Sequence, residues 1–426
     1  MLTGRPRGTR DVLPGESEQW QYLQEMQRRI AAEYGYSEIK TPMFEHSELF
    51  VRGVGGTTDV VEKEMYTFRD RDDRLISLRP EGTAGAARAV VENNLLAGTL
   101  PVKLFYHTEV FRYERPQAGR YRQHTQFGIE VFGAADPAVD AEVIHLAVDL
   151  FQRLGLRNLE VRINSIGCPN CRPAYRQRLS EYYRGHVDEL CDDCRSRLER
   201  NPLRLLDCKQ ENCRRLGAAA PKSADHLCPE CRGHFAALQE ILTGLGINYV
   251  IDPHIVRGLD YYTKTVFEVI APDIGAQSTI CGGGRYDGLI AEVGGPATPG
   301  IGFGMGVERV LMALAKQGLY LPPPLQLDAY VVAIGDDARR VGLTVLYGLR
   351  KAGIKADTDY MGRSPKSQMK QAGKSGARFA VIIGGDELAR GAATVRDMAR
   401  ASQEEMPLAD VVAKLTSLIR EGGNSR

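Results

Sequence analysis

Two segments, one rich in arginine and the other rich in glycine, constrain the fold of this chain more than any other feature. Residues 111–130 read FRYERPQAGRYRQHTQFGIE, an aromatic–Arg–x–Glu sequence followed by a basic loop and then by alternating polar and apolar residues. Residues 300–311 read GIGFGMGVERVL, a glycine-rich strand that leads directly into a helix with Arg309 near its start. One arginine-rich loop carries little information, whereas two such segments in this order constrain the fold strongly.

The size and charge of the chain limit the number of domains and the kinds of partner that we expect. At 426 residues it is too long for one ordinary domain, so we expect two or three. The formal net charge is +1, so any contact with RNA must come from local basic patches. The sequence has no run of 18 apolar residues and no signal-peptide pattern at its start. We therefore expect a cytoplasmic protein without a membrane span, whose nine cysteines do not form disulfides.

The two segments resemble motif 2 and motif 3 of the class II aminoacyl-tRNA synthetases. Further segments along the whole chain are similar to signatures of the bacterial-type histidyl-tRNA synthetase family within that class. They are RGTRDVLP at 7–14, PEGTAG at 80–85, RGLDYYTKTVFE at 257–268 and GGGRYDGL at 282–289. The resemblance implies a histidine–tRNA ligase. Such an enzyme activates L-histidine with ATP to histidyl-adenylate and pyrophosphate, and then transfers histidine to the 3′ end of tRNA-His.

The resemblance also implies an α+β fold with a division into domains. An antiparallel-sheet catalytic domain would comprise residues 1–167 and 232–320, with a helical cysteine-rich insertion at 168–231. Residues 316–327 contain three consecutive prolines and predict a linker. Beyond it, strands alternate with helices, which predicts a separate α/β domain with a mostly parallel sheet at 328–426. That part resembles the anticodon-binding domain of class II synthetases.

The region after the N-terminal signature bears on oligomeric state. Residues 17–34 show helical spacing of apolar residues and precede a strand-like segment at 37–46. In the family this pair is motif 1, which builds the dimer interface, so the resemblance favours a homodimer. From periodicity alone, an ordinary surface helix and edge strand remain as an alternative.

The expected chemistry requires fixed positive charge. Adenylate formation joins a carboxylate, already anionic, to the α-phosphate of ATP, so no general base is needed. Cations must stabilise the charge that builds on phosphorus, and arginine suits this role. The resemblance assigns Arg112 to the α-phosphate and the substrate carboxylate, and Arg257 to the α-phosphate, where related synthetases place a metal ion; these two are the expected catalytic residues. Arg309 is assigned to the γ-phosphate, Arg120 is a candidate for the γ-phosphate and the tRNA end, and Mg²⁺ is expected with ATP.

One residue departs from the family pattern in the ATP site. The family usually has a phenylalanine, stacked on adenine, where this chain has His124. A histidine can still stack, with less area and a possible charge.

Recognition of histidine needs a donor and an acceptor for the ring nitrogens and a carboxylate for the α-amino group. The resemblance assigns Glu130 and Tyr262 to the imidazole. The glycines at 282–284 are expected to form the floor of the pocket. Core packing is the alternative role for one of the adjacent tyrosines 261 and 262. The full set expected around histidine is Glu81, Thr83, Arg112, Gln126, Glu130, Arg257, Tyr261, Tyr262 and Tyr286.

Eight cysteines in closely spaced pairs mark the insertion. They are Cys168 and Cys171, Cys191 and Cys194, Cys208 and Cys213, and Cys228 and Cys231. Such pairs suit tetrahedral zinc, with reduced buried thiols as the alternative. Apolar spacing predicts a helix over 172–190, roughly 28 Å long, which would hold the first two pairs apart. We therefore expect two nested groups, with the second and third pairs together at the tip and the first and fourth at the base.

Two other functions compete with the ligase. A histidyl-synthetase-like regulatory subunit of histidine biosynthesis shares the catalytic fold, but typically loses the arginines and the C-terminal domain, both of which are present here. A zinc-ribbon nucleic-acid-binding protein would explain the cysteines but neither of the two opening segments. The insertion resembles the family's helical domain that clamps the tRNA acceptor stem, and its arginines suit phosphate contacts.

Overall fold

The structure is a computed structural model that describes residues 3–56, 58–256, 259–319 and 326–423. The chain divides into two compact units, Met1–Pro322 and Pro323–Arg426. Within the described residues, every helix is too short or too polar to cross a membrane.

The first unit is built on an eight-stranded sheet, accompanied by a separate three-stranded sheet. The strands in chain order are β1 (Ser37–Glu38), β2 (Phe44–His46), β3 (Thr67–Arg69), β4 (Leu75–Leu78), β5 (Val102–Phe111), β6 (Gln123–Phe132), β7 (Glu160–Ser165), β8 (Tyr249–Ile251), β9 (Thr263–Ile270), β10 (Thr279–Arg285) and β11 (Gly300–Gly306). The large sheet has the order β1-β5-β6-β11-β10-β9-β7-β8, and the small one β2-β4-β3. The five consecutive strands β5, β6, β11, β10 and β9 of the large sheet pair antiparallel with one another, as the predicted fold class requires.

Helices cover one face of the large sheet. Those of this unit are α1 (Ser17–Glu33), α2 (Ser47–Phe50), α3 (Thr83–Glu92), α4 (Pro137–Arg153), α5 (Arg172–Arg184), α6 (Asp192–Arg200), α7 (Glu211–Ala219), α8 (Pro229–Gly244), α9 (Leu289–Glu292) and α10 (Val307–Lys316). Alternate strand residues such as Phe127, Ile129, Phe303 and Met305 share one apolar core with α1, α4, α8 and α10. Because side chains alternate along a strand, residues 126, 128 and 130 of β6 point to the opposite face.

The insertion folds around a small core of its own, formed by α5, α6, α7 and short 3-10 turns. The helix predicted over 172–190 ends earlier, at Arg184, and Gly185 follows it. Glycine is a poor helix former, and a 3-10 turn at Val187–Glu189 then redirects the chain. Helix α8 continues across residues 231 and 232, where the composition of the sequence changes.

The second unit contains a five-stranded sheet. Its elements are β12 (Ala329–Ala333), α11 (Asp336–Lys351), β13 (Ala356–Thr358), α12 (Pro365–Lys374), β14 (Phe379–Ile383), α13 (Gly385–Ala389), β15 (Ala392–Asp397), β16 (Gln403–Pro407) and α14 (Val411–Gly423). In the order β13-β12-β14-β15-β16, the first two pairings are parallel and the last two antiparallel. The prediction of a mostly parallel sheet is therefore wrong for half of the pairings. The links after β14 and β15 are shorter than the dozen residues that a parallel crossover requires.

Separate cores predict separate responses to core truncation. Leu150 belongs to the core of the first unit and Leu346 to that of the second, and both are fully buried. We expect Leu150→Ala to lower the free energy of unfolding of the first unit by about 2–5 kcal/mol, and Leu346→Ala to do the same for the second. Hydrogen exchange measured along a denaturant series checks this strand by strand. Equal losses in both units from either substitution would contradict the prediction.

Candidate active site

The site lies on a part of the large sheet that has almost no side chains. Every second residue of β11 is glycine, and the pairing places Gly302 opposite Glu130, Gly304 opposite Gly128 and Gly306 opposite Gln126. On the other side of β11, Gly282 and Gly284 of β10 pair with Gly304 and Gly302. Directly paired residues of antiparallel strands project from the same face, so these glycines form a continuous bare strip, called here the glycine floor.

Neighbouring side chains occupy the space above the glycine floor. A Cβ atom on Gly302 would lie 2.2 Å from Oε2 of Glu130, and one on Gly304 would lie 2.1 Å from Nε2 of Gln126. Neither distance is compatible with a side chain at these positions. The glycines therefore allow the polar groups of β6 to lie flat across β11.

Glu130 is at the centre of a buried chamber beside the glycine floor. Its side chain is fully buried, and its Oε1 accepts a 2.8 Å hydrogen bond from the hydroxyl of Tyr106. The hydroxyl of Tyr286 donates to Oε2. Burial raises the pKa of Glu130 to about 8, although hydrogen bonds from Tyr286, Thr83 and Tyr106 oppose this shift. The carboxyl of Glu130 therefore titrates closer to neutral pH than an exposed glutamate does.

Tyr106 is a residue of this chamber that the sequence analysis does not identify. Its ring lies over two glycines, because a Cβ atom on Gly82 would be 2.3 Å from the ring and one on Gly128 would be 2.4 Å away. It belongs to β5, whose residues alternate as in any half-buried strand. The one available signal is its pairing with Gly128, which becomes visible only when the strand register is known.

Three further tyrosines and a second carboxylate complete the chamber. The ring of Tyr261 lies 4.7 Å from that of Tyr262 and 5.5 Å from that of Tyr286, measured between centroids. Glu81 accepts hydrogen bonds from the backbone N–H groups of Thr83 and Ala84 at 2.8 and 2.7 Å, at the start of α3. The Tyr261 hydroxyl is 3.5 Å from Glu81. Burial raises the pKa of Glu81, and the two backbone hydrogen bonds counteract the shift.

An open cavity of about 280 Å³ adjoins the chamber, and three arginines and three glutamates line it. Its lining includes Arg112, Arg120, His124, Gln126 and Arg309. Backbone carbonyls hold two of the guanidinium groups in place. Arg112 donates from Nε to Pro80 at 2.7 Å, and Arg309 donates to Gly119 at 3.0 Å and to Thr279 at 2.9 Å. These carbonyls orient the two guanidinium groups, and Arg112 also lies 3.9 Å from a carboxylate oxygen of Glu114.

Charged groups of both signs line the cavity, and Glu114, Glu268 and Glu308 face the arginines. Burial lowers the pKa of Arg309, Glu114 opposes the shift, and the nearby charges of Arg120 and Arg112 add to it. Arg120 also forms an ion pair with Glu114. Burial first, and then the charge of Arg112, lower the pKa of His124 to about 4, so its imidazole is neutral at pH 7. The arginines favour a ligand with an anionic group, and the neutral imidazole of His124 favours contact with an uncharged ring of that ligand.

The structure thus separates the predicted residues into two adjoining groups. Gln126 connects them, since it lines the cavity, shares a strand face with Glu130 and accepts a hydrogen bond from the N–H of Gly82 at 3.0 Å. Arg257 lies outside the described residues. Around the cavity are Arg112, Arg120, His124, Gln126 and Arg309, and in the chamber are Glu81, Thr83, Glu130, Tyr261, Tyr262 and Tyr286.

The eight paired cysteines form two groups, arranged as the nested scheme predicts. Cys168, Cys171, Cys228 and Cys231 form one group, called here the base cluster. Cys191, Cys194, Cys208 and Cys213 form the other, the tip cluster. Within each cluster all sulfur atoms lie within 4.8 Å of one another. The ninth cysteine, Cys281, is buried next to Gly282 and lines the cavity.

Comparison with known proteins identifies the family. The family model described as histidyl-tRNA synthetase matches residues 8–310, and that described as anticodon binding domain matches residues 328–418. The chain is 57% identical over 412 residues to the histidine–tRNA ligase of Desulforamulus reducens, which covers 97% of this chain and 98% of that one. It is 56% identical over 419 residues to the histidine–tRNA ligase of Pelotomaculum thermopropionicum, with 98% and 99% covered.

A solved structure agrees with this result. The crystal structure of apo Staphylococcus aureus histidyl-tRNA synthetase superposes with a TM-score of 0.83 at 38% identity, and the match covers 97% of this chain and all of that one. Fold, site layout and sequence similarity all lead to the same conclusion. The chain belongs to the histidyl-tRNA synthetase family, with an anticodon-binding domain at its C-terminus.

Proposed function

We propose that this protein is a histidine–tRNA ligase. It joins L-histidine to ATP, releases pyrophosphate, and transfers histidine from histidyl-adenylate to the 3′ end of tRNA-His. The observation that carries this proposal is the position of an arginine-lined cavity directly beside a buried chamber of carboxylates and tyrosines. Two anions can meet at that boundary, which is what adenylate formation requires.

The cavity is proposed as the ATP site. Arg112 lies nearest to the chamber side through its contact with Pro80, next to Glu81, and is assigned to the α-phosphate and to the histidine carboxylate. Arg309 and Arg120 are assigned to the γ-phosphate, and neutral His124 to stacking on adenine. Each guanidinium is already oriented by the protein, so little reorganisation accompanies the build-up of charge on phosphorus. Arg257 is assigned to the α-phosphate on family resemblance alone.

The chamber is proposed as the histidine site. A carboxylate can accept from an imidazole N–H, and a tyrosine hydroxyl can donate to the other ring nitrogen. These two roles are assigned to Glu130 and Tyr262. Glu81, Thr83 and Gln126 are assigned to the α-amino side, while Tyr261 and Tyr286 form the wall.

Metal ions have two separate proposed roles. Mg²⁺ accompanies ATP, and the cavity-lining carboxylates Glu114 and Glu268 offer the oxygen ligands that it prefers. Zn²⁺ is proposed for both cysteine clusters. Four sulfurs bound tetrahedrally to one zinc ion at about 2.3 Å lie about 3.8 Å apart. The sulfurs of Cys168 and Cys171 are 3.7 Å apart, and those of Cys191 and Cys208 are 3.9 Å apart. Zinc in these places would hold the insertion together.

The remaining parts are proposed to serve tRNA binding and assembly. We propose a catalytic domain at 1–167 and 232–320, an insertion at 168–231 that holds the acceptor stem, and an anticodon-binding domain at 328–426. The reaction would take place in the cytoplasm, where ATP and tRNA are found.

A homodimer is proposed through motif 1. The small sheet and the residue before it expose apolar side chains, with 47% of Met43, 57% of Phe44 and 47% of Phe68 accessible. A second copy of the chain would cover this surface.

The regulatory-subunit alternative is disfavoured by the same features that support the ligase. Arg112 and Arg309 are present and line one cavity, and residues 328–418 match the anticodon-binding domain. A regulatory protein without adenylate chemistry has no need of either. Histidine-dependent ATP–pyrophosphate exchange distinguishes the two functions.

Loss of Arg112 tests the chemical step. We expect Arg112→Ala to reduce histidine-dependent pyrophosphate exchange by about 10²-fold or more, because a fixed charge at the reacting phosphate disappears. Arg71→Ala, at an exposed arginine in the turn between β3 and β4, serves as the control and should exchange normally. Normal exchange by the Arg112 variant would remove this residue from the reaction.

Glu130→Gln tests the amino-acid site. The amide is neutral and can present a donor where an acceptor is needed, so histidine should bind about tenfold more weakly. The affinity for ATP should change little, because Glu130 does not line the cavity. Isothermal titration of each ligand measures both. A parallel loss of ATP affinity would show that Glu130 is not selective for histidine.

Removal of the second unit tests whether histidine activation depends on the first unit alone and tRNA charging on both. All the described residues assigned to histidine and ATP precede Pro323, where that unit begins. A chain ending near Leu327 should therefore retain pyrophosphate exchange and lose most tRNA charging. Both assays are run on the same preparation. An equal loss in the two assays would mean that the unit supports the catalytic fold, and full charging would mean that it does not contribute to productive tRNA binding.

A further inference from the structure

The base cluster lies against the histidine chamber, and three sets of contacts connect them. It joins two chain segments, since Cys168 and Cys171 precede α5 whereas Cys228 and Cys231 surround the start of α8. The sulfur of Cys168 is 3.9 Å from that of Cys228, and Cys171 is equally close to Cys231. Whatever fixes the cluster therefore fixes these two segments relative to each other.

The first connection runs through Arg172, which follows Cys171 directly. Its guanidinium donates to the backbone carbonyl of Tyr262, and at 3.2 Å to that of Gly167. The same stretch of backbone pairs with the start of β9, because the N–H of Ile166 donates to Lys264 and the N–H of Lys264 donates to Gly167, both at 2.8 Å. The position of Tyr262 thus depends on the residues around the first cysteine pair.

The second connection starts between the other two cysteines. Glu230, in the sequence Cys-Pro-Glu-Cys, accepts a 2.9 Å contact from the ammonium group of Lys264. That ammonium group is also 3.6 Å from Asp287, the residue after Tyr286. Asp287 in turn accepts from Arg285 at 3.2 Å. Lys264 therefore joins the segment of Cys228 and Cys231 to both tyrosine-bearing segments of the chamber.

The third connection is a buried ionic network at the next turn of α8. His234 contacts Asp140 of α4 at 3.1 Å, and Asp140 forms an ion pair with Arg285. Asp140 and Arg285 are both fully buried. Because Arg285 immediately precedes Tyr286, the position of α8 is transmitted to the hydroxyl that binds Glu130.

We infer that the base cluster is a positioning element of the histidine pocket, and that it sets the affinity for histidine through Arg172, Lys264 and the His234–Asp140–Arg285 network. This inference rests on the proposed function of the chamber. Zinc at this cluster fixes the two cysteine pairs in one arrangement. The chain's own residues then hold Tyr262 and Tyr286 in place.

The tip cluster provides a control of the same chemistry within the same chain. Helix α6, which carries Cys194, directs Arg197 and Arg200 to Asp59 and Glu62. These contacts are to a helical stretch before β3. Asn201, at the end of α6, also donates an exposed 3.0 Å hydrogen bond to Asp260, the residue before Tyr261. Because one exposed hydrogen bond constrains the chamber less than the buried contacts of the base cluster do, loss of the tip cluster should affect the insertion and leave histidine affinity nearly unchanged.

Two cysteine variants compare the clusters. Cys228→Ser and Cys191→Ser each remove one partly exposed thiol from one cluster. Each variant should lose one of two zinc equivalents, measured by elemental analysis of the purified protein. Isothermal titration should show histidine binding weakened by about tenfold or more in Cys228→Ser, within about twofold of the parent in Cys191→Ser, and ATP binding preserved in both. Equal histidine affinities in the two variants would overturn the inference.

A third variant leaves all the cysteines in place and protects the test against misfolding. Arg172→Met should retain both zinc equivalents and still bind histidine more weakly, with faster hydrogen exchange at residues 262–264. Arg172→Lys, which keeps one donor, should restore part of the affinity. Normal histidine affinity in Arg172→Met would overturn the inference. Failure of the proposed function can be distinguished from failure of this inference, because the unaltered chain would then show neither histidine binding nor pyrophosphate exchange.

Discussion

The site depends on backbone approach across the glycines of β10 and β11. With a Cβ atom at Gly302 or Gly304, neither the carboxylate of Glu130 nor the amide of Gln126 could occupy its place. The same principle operates at Gly82 and Gly128, which admit the ring of Tyr106. Polar and aromatic side chains from β5 and β6 therefore extend over neighbouring strands. Glycine is unfavourable in a strand on entropic grounds, and packing on the helical face compensates for this cost.

The two compartments on this floor differ in their electrostatics. In the cavity, carbonyl oxygens orient Arg112 and Arg309, and carboxylates line the same wall. In the chamber, burial raises the pKa of Glu130 to about 8. An imidazole that approaches this carboxyl meets a group able to give up or keep a proton near neutral pH. The cavity and the chamber thus adjoin each other along β6 and β11, and Gln126 lies at their border.

The site residues that lie in short sequence motifs were predictable from the sequence. The residues whose role depends on how distant strands pair were not. The motif segments led to Glu130, Arg112 and Arg309, and the structure brings them to one sheet face. The length of a predicted helix was enough to infer the grouping of the cysteines, although the helix ends at Arg184. Tyr106 and the Asp140–Arg285 pair could not be found in this way, because their partners lie far away in sequence. The antiparallel half of the second sheet was missed because its edge strand β16, QEEMP, has no apolar alternation.

The order of strands in the large sheet has a consequence for synthesis on the ribosome. β11 is the last strand of this sheet to be made, yet it lies in the interior between β6 and β10. Until residue 306 has emerged, β6 and β10 each present an unpaired edge, and no floor exists on which the site could form. A nascent chain of this protein therefore carries an unpaired edge of β6 from residue 132 until β11 is complete at residue 306. Products that terminate before β11 would expose the edges of β6 and β10, and unpaired edges are templates for aggregation.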